Sequence, residues 1–304
     1  MKAGRWTRGG PYAAAFLVTV LWSSSYVLIK WGLADVPPLF FATVRYALAF
    51  LILLAFNLST GTRSKMNVPG GRKQAALLVV AGLTGYTVAQ GFQYVGLFFL
   101  PAVTTSFLLN FTPIFVLLIG MVTLNEKPSR LQITGLVIAL AGAYLFFYER
   151  ISWQGEWLGV VVVLVSGLGW AVYVIVVRRL QMTKALSSLR LTTVTMGVGV
   201  AGMLILSAAT EEIAPLTLNV LIVVVWLATV NTAVAFFLWN WVLKTVPSYE
   251  LTMVQNLMLI EIALFAFVFL QETITTLMVM GMALVLCGAL AVQLRSRRME
   301  NSPR

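Results

Sequence analysis

Apolar residues along this chain gather into long runs separated by short polar turns. They neither alternate as in strands nor form one narrow helical stripe. Ten runs can be marked, at approximately 11–32, 37–57, 74–96, 101–123, 130–148, 155–177, 187–208, 217–241, 248–270 and 273–294. Each has roughly the 20 residues that an α-helix needs to cross the hydrocarbon of a bilayer. The turns carry Pro or charge, as in Asp35-Val36-Pro37-Pro38, Asn125-Glu126-Lys127-Pro128, Thr210-Glu211-Glu212 and Val246-Pro247-Ser248. Proline suits the start of a helix, where its missing N–H had no partner. Lys2, Arg5 and Arg8 precede the first run as in a signal peptide. That run is long enough to span and lacks a small-residue cleavage site, so it is expected to be the first transmembrane helix.

Composition sharpens this. Of 304 residues, 60% are hydrophobic and 10% charged, against roughly 25% charged in soluble domains. The expected fold is an all-α integral membrane protein, because helices satisfy every backbone polar group within one segment. Lysine and arginine give the orientation. With the N-terminus placed in the cytoplasm, every Lys and Arg except Lys30, Arg150 and the intramembrane Arg45 falls on the cytoplasmic side. Asp35, Glu149, Glu156, Glu211, Glu212 and Glu272 collect on the other. The expectation is a multi-pass protein of the bacterial cytoplasmic (inner) membrane with both termini cytoplasmic. The net charge of +11 therefore reads as topology, not as nucleic-acid binding.

The missing chemistry is equally informative. There is no His, and Cys287 is the only cysteine. An intrachain disulfide is excluded, and no metal site or cofactor is expected. No Gly-Lys-Ser/Thr phosphate loop marks a nucleotide-driven pump. An integral-membrane enzyme, the main competing class, would need a nucleophile with its base or a paired acid and base, and no such spacing occurs.

The chain also matches itself. Shifted by 146 positions, Pro101 meets Pro247, Asn110 meets Asn256, Glu126 meets Glu272, Gly135 meets Gly281 and Gly142 meets Gly288. At a shift of 148, Trp22 meets Trp170 and Lys30 meets Arg178. Two halves, 1–148 and 149–304, then hold five helices each. An odd number forces the second half into the membrane upside down. The expected architecture is ten transmembrane helices as two inverted five-helix repeats around a central cavity, a plan that suits alternating access. Pro113 predicts a kink in the fourth helix that its counterpart Leu259 does not share.

Four stretches carry a family likeness: Leu21-Trp22-Ser23-Ser24-Ser25-Tyr26 with Lys30; Phe40-Phe41-Ala42-Thr43-Val44-Arg45-Tyr46; Phe92-Gln93-Tyr94-Val95-Gly96-Leu97 with Pro101-Ala102 and Thr112-Pro113; and Glu126-Lys127-Pro128 with Gly135 and Gly142. Trp170-Ala171-Val172-Tyr173 with Arg178, and Glu272 with Gly281 and Gly288, repeat the pattern. In these the chain resembles the drug/metabolite transporter superfamily, specifically its EamA-type ten-helix permeases, and within them the YddG-type aromatic amino-acid exporters. The resemblance implies a basket of helices around a cavity, and efflux or exchange of amino acids, metabolites or drugs.

Polar side chains inside the spans mark candidate cavity positions, because lipid does not satisfy them. Tyr86, Gln90 and Gln93 share one α-helical face of the third run by their i, i+4, i+7 spacing. Ser106 and Asn110 do so on the fourth, Asn231 and Trp239 on the eighth, and Gln255 and Asn256 lie together on the ninth. Trp22, Tyr26, Trp170 and Tyr173 add aromatic walls. Amide groups between aromatic walls suit small aromatic or amphipathic guests; the plainer alternative is that they glue helices together. Glu261 and Arg45 are the intramembrane charges, read either as coupling groups or as structural partners, of each other or of backbone. The expected function is secondary transport of a small molecule by a monomer or homodimer in the lipid bilayer, with proton coupling one option. A nucleotide-sugar carrier of the same superfamily is the alternative, and it should place several Lys or Arg in the cavity.

Overall fold

The computed structural model describes residues 10–59, 71–124, 129–148, 156–182, 186–243 and 254–300. Among these, every regular element is a helix. Six helices are long and apolar enough to cross a membrane: α1 (Gly10–Gly32), α2 (Pro38–Ser59), α3 (Gly71–Phe99), α6 (Arg130–Phe147), α7 (Trp157–Met182) and α8 (Ser188–Thr210). Between and after them come shorter or interrupted pieces, α4 (Ala102–Leu109), α5 (Thr112–Leu124), α9 (218–243) and α10 (Met258–Leu270), and a last helix, α11 (Thr276–Glu300), whose apolar stretch is Thr276–Ala291. Glu126, Pro247, Lys2, Arg5, Arg8 and Arg150, used above to mark turns and orientation, lie outside the described residues.

Large apolar side chains point outward along these helices: Phe16, Leu51, Leu140, Leu204, Ile205, Leu264 and Phe267 are all exposed. In water such a surface would aggregate; in hydrocarbon it is the correct solvent-facing side. One large core joins nearly all the helices. The most extensive helix pair is α6 with α11, and glycines permit it. A Cβ on Gly281 would lie 2.6 Å from the carbonyl oxygen of Gly142, and one on Gly288 would lie 2.5 Å from that of Gly135. Small residues at such a seam let backbones approach where lipid offers no hydrophobic drive.

Among the described residues, two helices widen into π turns, at Leu83–Gly91 in α3 and at Thr229–Val234 in α9. Their first residues are 146 positions apart. Two further interruptions match in the same way. The chain turns at Asn110–Phe111 between α4 and α5, and at Leu257 before α10. The kink expected from Pro113 alone is thus corrected, since both helices break although Leu259 replaces the proline. At the first break Asn110 Nδ2 donates to the Ser106 carbonyl at 2.9 Å, and Thr112 Oγ1 donates at 2.7 Å to the Leu109 carbonyl, the acceptor that Pro113 leaves without its usual N–H.

At one end of the bundle, carboxylates close helix N-termini supplied by other parts of the chain. Glu272 accepts from the backbone N–H of Ala102 at 2.6 Å and of Val103 at 3.0 Å. Glu211 accepts from Leu39 at 3.0 Å and Phe40 at 2.7 Å. These N–H groups have no partner within their own helices, and a helix N-terminus attracts negative charge. Pro101 and Pro37-Pro38 precede them, so the Pro-marked turns become docking points for acids far away in sequence. Lys30 belongs to this end too, donating to the Leu97 carbonyl at 2.7 Å.

Candidate functional site: an amide- and aromatic-lined cavity

The helix interruptions converge on one cavity of about 450 Å³. α1 contributes Trp22, Ser25 and Tyr26; α2 contributes Arg45 and Tyr46; α3 contributes Ala89, Gln90 and Gln93. Ser106 and Asn110 come from α4 and its C-terminal break, and Thr112, Pro113 and Val116 from α5. Leu109 of α4, Ser166, Trp170 and Val174 of α7, Asn231 and Phe236 of α9, Gln255 and Asn256 just before α10, and Met258 and Ile262 of α10 add to the wall. The cavity extends to Gln132, which closes a capping box with Ser129 in the first turn of α6. It does not reach the end sealed by Glu211, Glu272 and Lys30.

Ten of the thirteen residues expected to line a cavity are brought together here: Trp22, Tyr26, Gln90, Gln93, Ser106, Asn110, Trp170, Asn231, Gln255 and Asn256, and Arg45, expected as a coupling or structural charge, joins them. Tyr86, Tyr173 and Trp239 are not. Tyr86 was expected on the face of Gln90 and Gln93 by α-helical spacing. The π turn changes the angular step between positions 86 and 90. Tyr86 therefore turns away into the core, edge-on to Tyr46 and Tyr173 at 5.8 Å each. Tyr173 is buried there with it. Trp239 lies behind the wall, its ring 5.1 Å from that of Trp22. Glu261 also lies off the cavity, accepting from Thr19 Oγ1 at 3.0 Å and Ser23 Oγ at 2.7 Å on α1.

Arg45 and Glu261 are therefore not partners of one another. The Arg45 guanidinium donates from Nε to Thr232 Oγ1 at 3.1 Å and from Nη1 to the Tyr94 hydroxyl at 2.9 Å. It also lies 5.3 Å from the centre of the Tyr46 ring, a cation–π distance. The π turn of α9 presents Thr232 to it, and Thr232 in turn donates to the Leu227 carbonyl, five residues back. Next to it, Asn231 donates through Nδ2 to the Leu21 carbonyl and to Ser24 Oγ. Opposite, Tyr46 donates its hydroxyl to Gln90 Oε1 at 2.7 Å. Polar groups on α1, α2, α3 and α9 thus hold each other around the cavity.

Tyr46, Ser166 and Gln132 were not among the expected site residues. Tyr46 could have been found from its place beside Arg45. Gln132 and Ser166 carry no sequence signal, since one reads as a helix cap and the other as a lone hydroxyl in an apolar run.

The EamA-like transporter family profile matches residues 10–148 and again 157–294. The chain belongs to the EamA-like transporter family. Among its relatives is the uncharacterized transporter YoaV of Bacillus subtilis, 27% identical over 89% of this chain and 92% of that protein. Another is the probable amino-acid metabolite efflux pump of Escherichia coli, 24% identical over 90% of this chain and 91% of the pump. An archaeal transporter from Archaeoglobus fulgidus is 26% identical over 84% of this chain and 88% of its own length. A crystal structure shares the fold, with a TM-score of 0.65 at 18% identity, over 96% of this chain and all of that one. This EamA-like protein is thus a multi-pass membrane protein of a transporter family, and the cavity is the natural place to look for its substrate.

Proposed function

We propose that the chain is a secondary transporter, an exporter or exchanger, that moves small aromatic or amphipathic metabolites, chiefly amino acids, by alternating access. The observation that carries this is the cavity itself: about 450 Å³, within the range of small-molecule sites, with amides and two tryptophans on its walls. The printed name of the Escherichia coli relative, a probable amino-acid metabolite efflux pump, supports the substrate class.

Alternating access rests on ten spans in two inverted halves, 1–148 and 149–304. Three features support that plan. The π turns begin 146 positions apart. The breaks at Phe111 and Leu257 fall at the same offset. The seam contacts Gly142–Gly281 and Gly135–Gly288 exchange with each other under the same shift. Irregular helix at mid-membrane depth is tolerated where it lines a cavity, and broken helices carry substrate sites in transporters built from inverted repeats. With both termini cytoplasmic, the cavity reaches toward the cytoplasm through Gln132, and the Glu211 and Glu272 caps close the outer end.

The nucleotide-sugar alternative calls for several cations in the cavity, whereas Arg45 is the one charged residue among the described lining. The test is flux into liposomes containing the purified protein, comparing aromatic amino acids with nucleotide sugars, with and without a pH gradient. The expected result is saturable counterflow of an aromatic amino acid. Absence of flux of every small metabolite above empty liposomes would overturn the reading.

A further inference from the structure

Arg45 is only 4% exposed and yet lines the cavity. A guanidinium has five N–H donors. Two are used, on Thr232 and Tyr94, so three have no partner among the described residues. Its neighbours are hydroxyls and aromatic rings, and no carboxylate lies within ion-pair distance among them. A buried cation without a counter-ion is expensive to hold. Glu261, an acid inside an apolar run, is engaged with Thr19 and Ser23 instead. A second unmet need lies beside it: Asn231 Oδ1 is buried without a hydrogen-bond donor. Asn231 precedes Thr232, the residue that holds Arg45 Nε, and both Asn231 and Arg45 line the cavity.

We propose that Arg45 is the carboxylate-binding residue of the cavity, pairing its free N–H groups with one carboxylate of the substrate, while Asn231 Oδ1 accepts from the substrate's amino group. This rests on the transporter reading and makes it specific: the guest is a monocarboxylate with an apolar or aromatic body and a nearby N–H donor. The planar guanidinium fork matches carboxylate geometry, which an ammonium does not. Tyr94 and Thr232 orient the fork, and Trp22, Trp170 and Phe236 supply the apolar surface. A single cation balances a single carboxylate and leaves a diphosphate mostly uncompensated.

The test uses the full-length protein, purified in detergent and in liposomes, with phenylalanine, its methyl ester, phenethylamine and phenylacetate as probes. Binding is read by the shift of the thermal transition and transport by competition for labelled phenylalanine. Wild type is expected to bind phenylalanine at least tenfold more tightly than the ester or the amine, with phenylacetate between. Arg45→Gln is expected to abolish the preference for acid over ester. Where Arg45→Gln does not fold, Arg45→Lys keeps the charge, loses the fork, and is expected to lose most of that preference. Equal binding of acid and ester by wild type overturns the assignment, as does an unchanged preference in either variant. Acid-selective binding without flux supports the Arg45 site while removing the transport reading for these guests; flux without acid selectivity does the reverse.

Discussion

Gly142 of α6 and Gly281 of α11 approach so closely that a Cβ on either would fall 2.7 or 2.6 Å from the carbonyl oxygen of the other. The obstructing atoms are backbone, so no side chain can swing away to make room. Gly142→Ala and Gly281→Ala are each expected to lower stability by roughly 1–3 kcal/mol, the usual cost of overpacking. Gly288→Ala, whose Cβ would meet the Gly135 carbonyl at 2.5 Å, should behave alike. Thermal unfolding in one detergent compares the three, and a neutral Gly281→Ala would show that the seam is looser than described.

The carboxylate caps make a second prediction. Glu272→Ala and Glu211→Ala each strip an acceptor from two helix N–H groups, at a cost of about 1–2 kcal/mol. The glutamine variants keep one acceptor oxygen and should lose less. Glu212→Ala is the control, because Glu212 is exposed. Equal melting temperatures for Glu272→Ala and Glu212→Ala would remove the capping role.

Glu261 is the intramembrane acid that sequence reasoning offered as a proton carrier. Its two hydroxyl partners and its place off the cavity support a tether between α10 and α1. Glu261→Gln is expected to cost roughly 1.5–3 kcal/mol through weaker hydrogen bonds, and to leave the response of uptake to a pH gradient unchanged. Loss of that response in a folded variant would restore the carrier reading.

The aromatic wall predicts a graded effect on guests. Trp22→Ala and Trp170→Ala should each weaken binding of an aromatic amino acid by roughly threefold to tenfold, the equivalent of an aromatic contact worth about 0.5–1.5 kcal/mol. Trp239→Ala, one layer behind Trp22, should change selectivity less. Competition by phenylalanine and by leucine separates the two cases: a loss that is equal for both guests points to general collapse of the wall.

Much of the site was legible from polar residues in apolar runs, since lipid makes each of them costly unless it faces protein or a cavity. Gln90, Asn110, Asn231 and Asn256 were found this way. The errors had physical causes. Tyr86 was misplaced because spacing arguments assume an α-helix and a π turn changes the phase. The second helix break was missed because proline was taken as the marker, whereas the chain turns at Leu257 with Leu259 in the place of Pro113. Glu261 was weighed as a partner for Arg45, and depth in the membrane does not say which side of a helix a residue faces.

The sequence by itself determined the class: runs long enough to span, a one-sided distribution of Lys and Arg, and a repeat at 146 positions. These are properties of the chain against its solvent, so they need no tertiary information. Only the tertiary structure decided that Arg45 meets hydroxyls and, among the described residues, no carboxylate, that Glu272 reaches Ala102 across 170 positions, and that two π turns aim at one cavity. Those outcomes depend on the packing of helices distant in the chain and on local helical phase, and neither is encoded in hydropathy.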